Sequence, residues 1–247
     1  MLTIKNLSKN FSKVKALDNV SFELKKGEIL GIVGESGSGK STLAKVITRI
    51  VKPDGGSILF KGEDFTKLNS AKLREYRKNV QMVFQNPNST FSPRMNIGDF
   101  LCEGMLNFKL ASKKEALKKA KEYLELVKLP TDIMERLPHQ LSGGQLQRVC
   151  IARAIATKPK FIMLDEAVSS LDVSTQVEIL DLLQKLKKEY NLSYIFVTHD
   201  LLTIAYICNS VIFFKDGKIE EEISDIKNLK NIKKDYSRKL LNAVIEF

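Results

Sequence analysis

The chain is poor in several features on which small or metal-held folds depend. Only three cysteines occur among 247 residues, Cys102, Cys150 and Cys208, too far apart to form a ligand-spaced cluster, so neither a zinc site nor a disulfide framework is expected. Long apolar runs are missing too: no stretch approaches the roughly 20 residues that a membrane-spanning helix needs. The opening Met1-Leu2-Thr3-Ile4-Lys5 lacks the apolar core of a secretory leader. A soluble chain in the cytoplasm is therefore expected. There is also no dense basic arm with interleaved aromatics. The formal net charge of +11 comes from 40 Lys and Arg against 29 Asp and Glu, and the lysines are scattered in pairs such as Lys25-Lys26, Lys118-Lys119 and Lys187-Lys188. Such dispersal reads first as a solvated exterior, then as an anionic lipid surface nearby, and least as a nucleic-acid groove. Hydrophobic residues make up 43% of the chain, enough for one large α/β domain or a core with a small subdomain.

Against these absences stand two glycine-rich anion cradles. The first, Gly34-Glu35-Ser36-Gly37-Ser38-Gly39-Lys40-Ser41, follows the short apolar run Ile29 to Val33, which suits a buried strand. It precedes Ser41-Thr42-Leu43-Ala44-Lys45, which begins a helical pattern. Glycines in such a strand-to-helix turn let backbone N–H groups approach phosphate oxygens, and the helix N-terminus adds partial positive charge. Lys40 supplies a full charge for the β- and γ-phosphates of a nucleotide, and the Ser41 hydroxyl suits Mg²⁺. The second cradle, Leu141-Ser142-Gly143-Gly144-Gln145, lies far downstream. Soon after it the apolar run Phe161 to Leu164 ends in Asp165-Glu166, at the carboxyl edge of a strand where parallel α/β sheets place ligands. Asp165 suits Mg²⁺ ligation, and Glu166 is positioned to polarise an attacking water as a general base.

Alternation over Leu2 to Leu7 and Val20 to Leu24, with the turn Lys25-Lys26-Gly27-Glu28 and a further strand signal at Ser57 to Phe60, predicts a small antiparallel sheet. Val80 to Phe84 adds a strand ending at Gln85. From Asn86 to Pro138 the character changes to a loop followed by Leu117, Ala120, Leu124 and Val127 at helical spacing. After Gly144 helices alternate with strands: Val149 to Thr157, Phe161 to Leu164, Gln176 to Glu189 and Tyr194 to Val197. This alternation implies parallel strands with crossover helices. Val211 to Phe214 and Lys218 to Glu220, joined by Asp216-Gly217, form a hairpin signal. The tail from Ser224 is charged and partly helical, and carries no legible chemistry.

The ordered set of phosphate loop, Gln85, Leu-Ser-Gly-Gly-Gln, Asp165-Glu166, Ser170-Leu171-Asp172 and Thr198-His199-Asp200 resembles the ATP-binding subunits of ABC transporters over nearly the whole chain. The resemblance implies an α/β fold of the ABC-type P-loop ATPase kind, a RecA-like core with an antiparallel β region and a helical subdomain. Segments 1–85 and 146–222 would supply the β region and core, 86–145 the mainly helical part with the signature, and 223–247 a tail. It implies ATP and Mg²⁺ as cofactors, with Gly34, Glu35, Ser36, Gly37, Ser38, Gly39, Lys40, Ser41 and Thr42 holding phosphate and Ser41, Gln85 and Asp165 serving the metal. It also implies a head-to-tail dimer, of two copies or with a paralogue, in which Ser142, Gly143, Gly144 and Gln145 of one chain close over the nucleotide of the other. Gln85 would contact Mg²⁺ and the attacking water, Glu166 would act as base, His199 would meet the γ-phosphate, and Asp172 would bridge the two sites. Phe11 matches the aromatic position that stacks on adenine, although tyrosine is frequent there. The implied partners are integral membrane permeases and, indirectly, an extracytoplasmic solute-binding protein, at the cytoplasmic face of a bacterial inner membrane. No nucleic-acid partner is implied.

Val83-Phe84-Gln85-Asn86-Pro87 and Ser92-Pro93-Arg94-Met95 are similar to the peptide and nickel importer group. Within it, Pro138 to Cys150 and Leu164 to Asp172, with Ala167 where peptide importers more often have proline, favour nickel as the cargo and peptides as the alternative. A soluble ABC ATPase working on ribosomes or DNA is the rival of another class. It is disfavoured because this chain has no paired ATPase units, long coiled-coil insertion or zinc-binding cysteines.

Overall fold

A computed structural model describes residues 1–245. Short apolar strands alternate with amphipathic helices, and this pattern sorts the chain into two sheets with a helical layer. Strand β1 (Leu2–Phe11) pairs antiparallel with β2 (Val14–Leu24) and β4 (Gly55–Phe60), and β4 pairs with the short β5 (Glu63–Asp64), giving the order β2-β1-β4-β5. The second sheet has the order β10-β9-β3-β8-β7-β6. In it β3 (Ile29–Val33), β6 (Val80–Val83), β7 (Phe161–Asp165), β8 (Ser193–Thr198) and β9 (Ser210–Lys215) are parallel, and only β10 (Lys218–Ile223) runs against its neighbour. Asp216 and Gly217, with φ of 47° and 76°, make the tight β9–β10 turn, a connection whose backbone twist matches that of the strands it joins.

The central strands read as nearly unbroken apolar runs, as in Ile162 to Leu164, Tyr194 to Val197 and Val211 to Phe214, because both faces of the sheet are covered. Their period of two divides them between two cores. Ile29, Val33, Ile162, Leu164, Tyr194, Phe196, Val211 and Phe213 join the helices on one side. Leu30, Ile32, Phe161, Met163, Ile195, Val197, Ile212 and Phe214 join the antiparallel sheet and helix α1 (Lys40–Ile47) on the other. Phe161, Tyr194, Phe196, Phe213 and Phe214 are fully buried, and each such side chain stabilises the fold by about 1.5–3 kcal/mol relative to exposure.

On the first side, α3 (Ile97–Asn107), α4 (Lys113–Leu126) and α5 (Gly143–Ala156) pack together, with α6 (Val173–Tyr190) crossing back to β8. Ser112 and Glu115 close a capping box at the start of α4, each side chain bonding the other's backbone N–H. Helix α2 (Ser70–Asn79) has no counterpart in the apolar pattern: it is capped by Asn69 and buries only Tyr76, whose hydroxyl donates to Ile47 O at 2.7 Å. Helix α5 begins at Gly143, six residues before the apolar signal at Val149, because Ser142 and Gln145 form a second capping box there. Helix α7 (Leu201–Ile207) follows β8, and α8 (Asp235–Ile245) ends the described chain.

Candidate nucleotide-binding site

Parallel pairing brings the carboxyl ends of four adjacent strands to one edge. Val33 stands beside Thr198, Val197 beside Asp165, and Leu164 beside Val83. The glycine loop leaves β3 at that edge, His199 follows β8, Asp165 and Glu166 end β7, and Gln85 follows β6. Residues separated by more than a hundred positions in sequence thereby share one short line.

The loop from Gly34 to Gly39 is shaped from outside as well as by its own residues. A Cβ on Gly34 would lie 2.0 Å from Phe214 O, and one on Gly39, whose φ is 106°, would lie 2.5 Å from Ala16 O. These two glycines are therefore required by packing against β9 and β2, while Glu35, Ser36 and Gly37 stay exposed at the tip. The β9–β10 turn braces the loop, Gly217 N donating to Ser38 O at 2.8 Å. The Lys40 ammonium folds inward and donates to Gly34 O and Glu35 O, both at 2.7 Å. Burial lowers the pKa of Lys40 from the ordinary lysine range, and nearby Glu166, Asp165 and Glu35 oppose that shift. All its hydrogen-bond partners are neutral oxygens, so the buried ammonium is a charge suited to an anion.

Ser41 Oγ donates to Asp165 Oδ1 at 3.0 Å. Burial raises the Asp165 pKa, the Ser41 hydrogen bond opposing and the Glu166 charge adding to the shift. This paired hydroxyl and carboxylate are hard oxygen donors of the kind Mg²⁺ takes, and a cation there would reverse the carboxylate's shift. Thr42 lies partly buried in the first turn of α1.

Glu166 is held from several sides. Gln85 Nε2 donates to its Oε2 at 2.7 Å, and His199 Nδ1 lies 3.7 Å from its Oε1. Its own N–H donates to Val197 O at 2.8 Å, and Ser169 Oγ donates to its carbonyl at 3.0 Å. The residue sits at φ 48°, a left-handed conformation that costs a non-glycine residue of order 1–3 kcal/mol and persists where surroundings impose it. Sequence reasoning missed Ser169 and the Val197 carbonyl, since neither belongs to a motif whose chemistry is legible alone.

The second cradle is the first turn of α5. Ser142 Oγ accepts from Gln145 N at 3.3 Å and Gln145 Oε1 accepts from Ser142 N at 3.0 Å. A Cβ on Gly144 would meet Thr175 Cγ2 at 2.8 Å, so the turn lies close against the start of α6. There Asp172 caps α6, accepting from Thr175 N at 2.9 Å and from the Ser174 and Thr175 hydroxyls. These bonds hold its carboxyl well below the usual carboxylate range. Among the described residues no hydrogen bond joins 142–145 to 34–42. Phe11 is half exposed at the end of β1, with Lys9 Nζ 5.3 Å from its ring centroid.

The profile of the family described as ABC transporter matches residues 17–169. A putative peptide import ATP-binding protein of Brucella ovis is 41% identical over 248 residues, spanning 99% of this chain and 78% of that protein. The oligopeptide transport ATP-binding protein OppF of Streptococcus mutans is 42% identical over 252 residues, spanning 100% of this chain and 82% of its own. Among solved structures, the ATP-binding cassette MJ0796, dimeric in a post-hydrolysis state bound to ADP and Pi, superposes with a TM-score of 0.82 at 33% identity, over 90% of this chain and 97% of that one.

Proposed function

The chain belongs to the ABC transporter family as an ATP-hydrolysing cassette, and from that premise we propose that it energises the import of peptides through membrane permease subunits. The observation that carries this reading is the identity above 40% along essentially the full chain to proteins named for peptide and oligopeptide import. The nickel preference taken from Ala167 and its neighbours finds no support in these relatives. No helix among the described residues is long and apolar enough to cross a membrane. That agrees with peripheral attachment to permeases at the cytoplasmic face.

Such a cassette binds ATP with Mg²⁺, and the residues present fit both. In this reading Lys40 and the N–H groups of Ser36 to Ser41 hold phosphate, and Ser41, Asp165 and Gln85 hold the metal. Mg²⁺ when bound draws negative charge from the phosphate oxygens. Glu166, oriented by Gln85 and His199, accepts the proton of the attacking water, and His199 meets the γ-phosphate. Phe11 stacks on the adenine. In the same reading Ser142 to Gln145, which among the described residues make no hydrogen bond to residues 34–42, would complete the site of a second, head-to-tail copy or paralogue, with Asp172 beside the junction. The support is the dimeric MJ0796 cassette bound to ADP and Pi.

Gln85 also feeds the exposed loop Ser92-Pro93-Arg94. A cleft of about 280 Å³, lined by Ile50, Arg77, Phe84, Glu103, Phe108 and Arg153 among others, opens between β6 and α3 and reaches the residue before Gln85. We place permease docking here. Ser92→Glu is expected to leave basal ATPase activity at wild-type level while transport falls at least several-fold, as read by vesicle uptake beside steady-state turnover. Equal loss of both would place Ser92 in the hydrolytic machinery instead. For the cargo, deletion of the subunit should abolish growth on short peptides as an amino-acid source and leave nickel-enzyme activity intact. The reverse pattern overturns the peptide reading and leaves the ATPase assignment standing.

A further inference from the structure

The tail, whose composition carries no chemistry, touches the phosphate loop. Tyr236, in the first turn of α8, accepts a hydrogen bond from Glu35 N at 3.2 Å and donates one to Phe214 O at 3.3 Å. Phe214 O is the carbonyl that a Cβ on Gly34 would strike at 2.0 Å. Glu35 O in turn accepts from Lys40 Nζ at 2.7 Å. One phenol therefore ties Glu35 N to the end of β9, and Glu35 also supplies a carbonyl to the phosphate-seeking lysine.

The tail is fastened firmly enough to act as a brace. Glu221 on β10 accepts from Lys233 N at 2.8 Å and Lys234 N at 3.2 Å. Leu240 and Leu241 pack onto the helical core. Lys215 Nζ lies 5.0 Å from the Tyr236 ring centroid, which fixes the ring face from the β9 side.

We infer that Tyr236 is a positioning residue for nucleotide binding, its hydroxyl holding the Glu35 peptide, and through it Lys40, in the conformation that receives phosphate. The inference rests on the phosphate-loop reading above. It predicts an effect on affinity and not on chemistry, because the hydroxyl touches neither Glu166 nor its partners.

The test is Tyr236→Phe in the full chain, which keeps the ring, its packing and its contact with Lys215 while removing both hydrogen bonds. ATP and ADP affinity by calorimetry should weaken about five-fold, the loss of a hydrogen bond to a positioned backbone group. KM for ATP should rise by the same factor with kcat unchanged. Amide exchange in the peptide covering 34–40 should quicken, with the thermal midpoint held. Tyr236→Leu, read against the same controls, should weaken binding at least as much. Wild-type affinity and loop exchange in Tyr236→Phe, beside weakened binding in Lys40→Ala, would overturn the inference and leave the loop reading intact. Wild-type ATP binding in Lys40→Ala would remove the loop reading, and the inference with it.

Discussion

Glu166→Gln is expected to keep ATP binding and slow hydrolysis by about 10²–10⁴-fold, the range for loss of a positioned general base. The exchange is nearly isosteric. Gln85 Nε2, now 2.7 Å from Glu166 Oε2, retains an amide oxygen to donate to, and the backbone bond from residue 166 N–H to Val197 O is unaffected. What disappears is the proton acceptor. Lys40→Ala is expected to behave differently, weakening binding and turnover together, because it removes the buried ammonium and leaves the carbonyls of Gly34 and Glu35 without their donor. Steady-state turnover beside equilibrium nucleotide binding separates the two. Wild-type-like turnover in Glu166→Gln would end the assignment of Glu166 as base.

The second large effect is on assembly. In the Glu166→Gln background, which accumulates the ATP-bound state, Ser142→Arg is expected to abolish ATP-driven dimerisation while a lone subunit still binds ATP. The Ser142 hydroxyl and the N–H groups of Gly143 and Gly144 lie at the start of α5, where the helix dipole favours an anion. An arginine there adds bulk and charge at the proposed junction. It also removes a cap worth roughly 1 kcal/mol, so Ser142→Ala serves as the control: it loses the cap without adding bulk or charge and should impair dimerisation less. Light scattering with and without ATP reads the result. If the Ser142→Arg double variant dimerises as well as its parent, the second cradle lies outside the interface.

Much of the site was legible in the chain because its chemistry is local. The run Gly34 to Ser41 carries its turn, its lysine and its hydroxyl within eight residues, and the buried strand before it announces itself by unbroken hydrophobicity. Asp165 and Glu166 could be placed at a strand end for the same reason. Helix α2 is illegible in the apolar pattern because it is held by the Asn69 cap and one buried tyrosine, with no apolar stripe. The N-terminus of α5 is not legible in sequence because glycine and serine carry little helical signal apart from the reciprocal capping bonds of Ser142 and Gln145. The nickel preference finds no support among the relatives, and one of its clues has a physical reason to be uninformative. Ala167 is buried in the core, only 2% exposed, so its identity answers to packing at the end of β7 and has no route to a transported solute.

The sequence by itself determined that a glycine loop suited to a nucleotide phosphate follows a buried strand, and that an acid pair stands at another strand end. Only the tertiary structure decided that these meet. The parallel order β3-β8-β7-β6 sets Lys40, His199, Glu166 and Gln85 along one edge, where Glu166, bonded to Val197 O and Gln85, sits at a φ of 48° that no local preference of glutamate would select. It likewise brings Tyr236, 201 residues away in the chain, onto Glu35 N. Strand pairing and tail docking are long-range contacts whose free energy is shared across two hydrophobic cores, and no window of adjacent residues contains that information.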